Sequence, residues 1–173
     1  MISLTPIIAL LEKSKPAGFE RDWFRQVGGA AEFAKLVGLE RIPLPGCWVV
    51  RAADNVRPAG ERAEDVTLAF DVVIAITNER MATAGETDDE LLRYRKAVHT
   101  LLLGWQYPAR VPGLNAALLQ PITFGGGQVI EYTDGDLWWR DRYMFDAHLS
   151  NYLPDPPAYA GLVNQPVTNG VSL

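Results

Sequence analysis

The alternation of apolar and polar positions is clearest in residues 66–77, which predict a β-strand. One face of this segment carries five large apolar side chains: Leu68, Phe70, Val72, Ile74 and Ile76. Side chains alternate between the two faces of a strand, so the other face is mixed, with Thr67 and Asp71 among its members. This pattern is typical of an antiparallel sheet with one fully covered face.

A helical period dominates residues 86–105. Thr87 and Glu90 have the spacing of a capping box, which predicts that the helix begins there. Apolar side chains then recur at helical spacing and predict a buried stripe: Leu91, Tyr94, Val98, Leu101, Leu102 and Trp105. Gly104 is the predicted end. We expect this helix to pack against the sheet, and we interpret the basic side chains of Arg93, Arg95 and Lys96 as a solvated face.

Shorter patterns predict the elements of the first half of the chain. A short helix begins at Thr5-Pro6, and a second one covers residues 30–37. Residues 47–53 predict a strand, and residues 54–65 predict a loop because they are polar and contain Asn, Pro and Gly. We expect the strands on either side of that loop to form a long hairpin that projects beyond the body of the domain.

The second half ends in another predicted hairpin, in which residues 128–133 and 137–149 flank the turn dipeptide Asp134-Gly135. Residues 118–124 predict an edge strand because they contain a proline. The three glycines at 125–127 lead into a strand without a lysine, so we interpret them as a flexible connection rather than a phosphate-binding loop.

These elements predict an α+β fold with a mostly antiparallel sheet and helices packed on it. Residues 1–153 are expected to form a single domain. Residues 154–173 are rich in Pro, Gly and Asn without periodicity, and we expect a C-terminal arm or a disordered tail.

Composition excludes several classes of protein. The formal net charge of -5 argues against a nucleic-acid binder, which needs clustered Lys and Arg. Cys47 is the single cysteine, so an intrachain disulfide and a multi-cysteine zinc site are excluded. No apolar run approaches the roughly 20 residues that span a bilayer. The N-terminal residues lack a signal-peptide pattern, so the expected compartment is the cytosol of the cell that makes the protein.

Candidate chemistry is sparse, and we expect neither enzymatic activity nor a cofactor. His99 and His148 belong to no metal-binding or nucleophile–base motif. Four aspartates near the last hairpin offer carboxylates for a divalent cation: Asp134, Asp136, Asp141 and Asp146. Asp141 and Asp146 have opposite parity, however, so they should face opposite sides of the strand, and we predict no metal site.

The strongest interaction signal lies in residues 137–149. On a strand, Trp138, Arg140 and Arg142 point to one side, together with Met144 and His148. Trp, Arg and Met are enriched in protein interfaces, so we predict that Trp138, Arg140 and Arg142 contact a neighbouring subunit or another protein. The alternative is an ordinary solvent face with amphipathic side chains.

The helix with the sequence DDELLRYRKAVHTLLLGW, the Gly-rich segment and the ending DGDLWWRDRYMF together resemble the tail terminator proteins of long-tailed phages and prophages. The resemblance implies a virion protein, assembled in the host cytoplasm, that forms a ring, usually a hexamer, on the head-proximal end of the tail tube. Its partners would be further copies of itself, the tail tube protein and the head–tail connector. The family has no active-site motif whose residues transfer.

Two alternatives come from other classes. One is a neck or baseplate adaptor of the same virion, which would differ only in its neighbours. The other is a small α/β enzyme or ligand-binding module, which would need a pocket of convergent polar groups.

Overall fold

The computed structural model describes residues 2–19, 23–36, 42–61, 63–77, 84–107, 120–132 and 135–150. These residues form three helices: α1 (Thr5–Lys13), α2 (Ala30–Lys35) and α3 (Ala84–Leu102). They also form five strands: β1 (Gln26–Gly29), β2 (Gly46–Gly60), β3 (Ala63–Thr77), β4 (Thr123–Tyr132) and β5 (Asp136–Ser150).

The five strands form one sheet in the order β1-β2-β3-β5-β4. β1 is parallel to β2, and the other three pairs are antiparallel. The central strand β3 is paired with β2 on one side and with β5 on the other, from Ala63↔Ser150 to Thr77↔Asp136. The predicted α+β fold with a mostly antiparallel sheet is confirmed.

The main core lies between one face of the sheet and helices α1 and α3. The apolar face predicted for β3 is buried there, in the same cluster as Ile7 and Leu11 of α1. Four positions of the predicted helical stripe are also buried: Leu91, Tyr94, Val98 and Leu102. Leu101 and Trp105 are half-buried at the margin of the same core. The packing of the main helix against the sheet is therefore confirmed, although α3 begins at Ala84 and ends at Leu102.

Among the described residues, an apolar cluster covers the second face of the sheet at one end only. Trp48 of β2 and Val73 and Ala75 of β3 form a small apolar cluster there with Leu36 and Leu44. Phe33 of α2 packs against this cluster. We call the rest of this face the open face.

The prediction of a loop over residues 54–65 is wrong. β2 continues to Gly60, and β3 begins at Ala63 with a ladder of backbone pairs between them. The outer nine residues of β2 are all exposed, so they carry no alternation of large apolar side chains although their backbone is extended. Whether this hairpin projects beyond the domain stays a prediction.

The prediction of a flexible glycine connection is also wrong, because Gly125, Gly126 and Gly127 lie within β4. The turn residue Asp134, the predicted tail at 154–173 and residues 118–119 of the predicted edge strand lie outside the described residues. The rest of that prediction is wrong over residues 120–122, which are not extended into a strand and include Pro121, a residue without an N–H donor for a ladder. The strand begins at Thr123 as the start of β4, which lies at the edge of the sheet.

Candidate functional site

The three predicted interface residues lie together on the open face and its border with the small apolar cluster. Trp138, Arg140 and Arg142 are alternate residues of β5, and their partners on β3 are Ala75, Val73 and Asp71. Residues of the opposite parity, such as Tyr143 and Phe145, are buried in the main core. The predicted division of β5 into two faces is confirmed.

Trp138 is largely engaged within its own chain. Its ring stacks on Trp48 with centroids 5.5 Å apart and 19° between the planes. Phe33 of α2 contacts the same ring at 6.3 Å. Trp138 is half-buried, so it contributes to packing and offers a partner only part of its surface.

Arg140 and Arg142 share one carboxylate. Arg142 Nε and Nη2 donate to the two carboxylate oxygens of Asp71, at 2.8 and 3.0 Å. These hydrogen bonds, together with the attraction between the charges, raise the pKa of Arg142 above its ordinary value. Arg140 Nη1 lies 3.6 Å from Asp71 Oδ2, which is beyond hydrogen-bonding distance. Two cations therefore face a single buried anion, which leaves a local excess of positive charge.

A cleft of about 230 Å³ opens beside these arginines. It is lined by Arg140 and Arg142 of β5 and by four residues of β4: Gly125, Gly126, Gly127 and Gln128. We call it the arginine cleft. Its side chains are accessible, with 33% of Arg140 and 41% of Arg142 exposed.

The glycines allow β4 to lie close to β5 at this cleft. Gly126 has a φ of 110° at a register shift, a conformation that other residues rarely adopt. A Cβ on Gly125 would lie 3.2 Å from Met144 Cε and 3.3 Å from Arg142 Cγ. Sequence reasoning missed this role, and the signal that could have found it was three consecutive glycines next to a strand pattern.

The opposite face of the same strands holds a second ion pair. Arg95 of α3 donates from Nε and Nη2 to the two carboxylate oxygens of Asp141, at 2.9 and 2.8 Å. Trp139 Nε1 donates to Asp141 Oδ1 at 2.8 Å, and its ring lies 4.1 Å below the Arg95 guanidinium. The interpretation of Arg95 as part of a solvated face is wrong, because its side chain reaches a buried carboxylate across the helix–sheet contact.

Gly127 is required beside this buried pair. A Cβ at this position would lie 2.1 Å from Asp141 Oδ1 and 2.8 Å from Trp139 Nε1. The glycine run therefore serves both faces of the sheet, since it opens the arginine cleft and admits the Asp141–Arg95 pair.

The far end of the open face is polar. Thr67 Oγ1 donates to Asp146 Oδ1 at 2.6 Å, and His148 Nδ1 lies 2.7 Å from Asp65 Oδ1. These side chains line a wide cleft of about 530 Å³. Asp146 and Asp141 thus face opposite sides of β5, as predicted.

The remaining candidates for chemistry are engaged in packing. His99 contacts the rings of Phe124 and Tyr143, with centroids 5.0 and 6.2 Å away. Burial raises the pKa of the Cys47 thiol and so disfavours the thiolate that acts as a nucleophile. Within the described ranges, no three His, Cys, Asp or Glu side chains are grouped as metal ligands.

Comparison with known proteins identifies the family of this chain. In the part of the chain that the structure describes, no helix has the length and apolar character needed to cross a membrane. A search of curated proteins finds no match. The family described as phage tail terminator protein matches residues 4–152. This chain therefore belongs to the phage tail terminator family, whose members are structural components of the phage tail.

Proposed function

We propose that this protein caps the head-proximal end of the phage tail tube as a ring of six subunits. The ring stops polymerisation of the tube protein and provides the docking surface for the head–tail connector. The family match over residues 4–152 carries this proposal. Assembly takes place in the host cytoplasm. The protein needs neither a cofactor nor catalysis, because the burial of protein surface at its contacts supplies the free energy of binding.

A ring of identical subunits requires two different surfaces on each copy, which meet head to tail and close by rotation. We propose that Trp138, Arg140 and Arg142 belong to one of these surfaces. Support comes from the exposure of both arginines and from their excess of positive charge over Asp71. Trp138 contributes at the border of this surface, where it is half-buried and its ring is stacked on Trp48.

The test is electron microscopy of phage particles made without this gene and complemented with the wild-type protein. We expect tails of uncontrolled length, or tails that do not join heads, in its absence, and normal virions after complementation. Tails of normal length that join heads without any copy of the protein would contradict the capping function. Correct tail length with a defect confined to the neck or baseplate would indicate the adaptor role instead.

The interface is tested by replacing Arg140 and Arg142 together with glutamate. We expect this variant to fail in complementation because two acids replace the exposed cations. The change also places acids beside buried Asp71, so the unfolding of the purified variant must be measured in parallel. The matched control replaces Lys13 and Lys96 with glutamate in the same way. Both lysines are exposed, on α1 and α3, and this control variant should complement normally. Normal virions from the double arginine variant would contradict the choice of interface alone.

A further inference from the structure

We propose that the arginine cleft receives acidic side chains from the start of helix α3 of a neighbouring copy of this chain. The inference rests on the proposed ring and names the contact that joins its subunits. It derives from three features: partly exposed arginine donors in the cleft, a dense acidic segment elsewhere on the surface, and the location of the two on opposite faces of the sheet.

The cleft has the chemistry of a carboxylate site. Arginine presents a planar fork of N–H donors that matches a carboxylate in two-point contact. Arg142 uses one edge of its fork for Asp71, whereas Arg140 only approaches that carboxylate, at 3.6 Å. Both side chains remain partly exposed at the mouth of the cleft. The glycines of β4 place no side chain over them, so a partner's carboxylate has direct access.

The acidic partner is the first part of α3. Residues 86–90 hold four acids in five positions, the densest acidic segment of the sequence. Asp88, Asp89 and Glu90 are exposed, whereas Thr87 directly before them and Leu91 directly after them are buried. Packing against the core therefore directs the acids outwards. Glu86 lies in the first turn of α3, and the other acids follow it at residues 88–90. Negative charge near a helix N-terminus also stabilises the helix, so the test must separate this effect from binding.

The two surfaces are suited to a head-to-tail contact. Helix α3 packs on the main core, whereas the arginine cleft opens on the other face of the sheet. One copy can therefore present its cleft to the helix of a second copy and its own helix to a third, which is the arrangement that a closed ring requires. Complementary charge of this kind selects the partner and accelerates association, and salt weakens it.

The experiment uses charge reversal in two separate proteins. The first carries Arg140→Glu, which leaves the Asp71–Arg142 pair in place, and the second carries Asp88→Lys and Asp89→Lys. We expect each protein alone to associate at least about tenfold more weakly than wild type, because like charges then meet in the contact. Sedimentation of the purified proteins over a range of concentrations and salt measures this loss.

An equimolar mixture of the two proteins is the decisive sample. The acidic cleft of the Arg140→Glu protein then meets the basic helix of the lysine variant. At the next contact, the unchanged arginine cleft of the lysine variant meets the unchanged acidic helix of the Arg140→Glu protein. A ring with an even number of subunits can close by strict alternation, so association in the mixture should return to near the wild-type level. If the two lysine substitutions weakened association only because they destabilise α3 through its dipole, mixing the two proteins would not restore association.

A disulfide measures the contact directly, even when association is weak. Cys47 is buried, so engineered cysteines are the accessible thiols. Gln128→Cys at the cleft and Asp89→Cys on the helix, placed in separate proteins and mixed, should form a cross-linked pair under mild oxidation. Glu12→Cys on α1 replaces Asp89→Cys in the control and should give much less of the pair.

The outcomes separate this inference from the capping function. A mixture that stays as weakly associated as its components, or cross-linking no greater than in the control, overturns the proposed contact. If Arg140→Glu also complements the phage normally, the capping function stands and only the contact is wrong. Normal virions without the gene would instead contradict the capping function itself.

Discussion

Two successive residues of β5, Asp141 and Arg142, form ion pairs with opposite characters. Asp141 faces the helices, is 1% exposed, and is held by Arg95 and Trp139. Arg142 faces the other way, is 41% exposed on its side chain, and binds Asp71 at the edge of an open cleft. The same chemical pair therefore links α3 to the sheet on one face and presents charge to the surroundings on the other.

The difference lies in what surrounds each pair. The aromatic ring of Trp139 and the close approach of β4 shield Asp141–Arg95 from water. Asp71 is also buried, but both of its arginine partners keep donors at the surface. A shielded pair is strongly destabilising to break, whereas an exposed arginine contributes little to stability and stays available for a partner.

The largest loss of stability is expected on the face of the sheet that packs against α1 and α3, which we call the helix face. Arg95→Ala should lower the free energy of unfolding by about 3 kcal/mol, at the low end for a broken buried pair because Trp139 still donates to Asp141. Urea denaturation measures the change. Lys96→Ala, one position along α3 and exposed, is the control and should change stability by less than about 0.5 kcal/mol. Equal effects from the two variants would remove the distinction between shielded and exposed cations.

A smaller loss is expected when the approach of β4 is blocked. Gly127→Ala should destabilise by about 1–3 kcal/mol, because its Cβ would overlap the buried Asp141 carboxylate and force the strands apart. Gly85→Ala is the matched control, since its added Cβ meets no atom of the described residues within 4 Å apart from its own chain neighbours and helix backbone, and alanine favours the helix. The two substitutions should shift the melting temperature in opposite directions. A neutral Gly127→Ala would show that β4 is free to move away from the pair.

Substitutions on the open face should lower the free energy of unfolding by less, and the two arginines there should differ in their effect. Arg142→Ala should cost about 1–2 kcal/mol because two hydrogen bonds to buried Asp71 are lost, although Arg140 is close enough to replace part of them. Arg140→Ala should cost less than about 1 kcal/mol, as is usual for an exposed pair. Denaturation of both variants under the same conditions gives the comparison. A loss for Arg140→Ala as large as that for Arg95→Ala would mean that the cleft serves stability rather than binding.

Periodicity in the sequence predicts the elements that bury one face. β3 and α3 follow from their apolar patterns, and the division of β5 between two faces follows from parity alone. The outer half of β2 does not follow, because its exposed residues carry no apolar pattern and its backbone is extended by pairing with β3. The local sequence pattern predicts which faces are buried. It does not predict the backbone hydrogen bonds to another strand that keep an exposed segment extended.

The candidate site is predicted only in part, for a related reason. Trp138, Arg140 and Arg142 share a face, as parity requires. Their partners Trp48 and Asp71 depend on the register between strands that are distant in the sequence. Arg95 likewise reaches a carboxylate 46 residues away, which a helical pattern cannot reveal.

The smallest effect is expected from a buried hydroxyl on the helix face. Tyr143 Oη is buried and has no hydrogen-bond partner among the described residues, and burial raises the pKa of this phenol. Tyr143→Phe keeps the ring contacts with Phe70 and removes a polar atom that was desolvated without compensation. We expect a gain in unfolding free energy of less than about 1 kcal/mol, measured by urea denaturation. Tyr143→Leu, which loses the ring stacking as well, should be clearly destabilised. A loss above about 1 kcal/mol for the phenylalanine variant would mean that the hydroxyl binds a group on this face, so that a buried polar contact other than Asp141–Arg95 also holds the helices to the sheet.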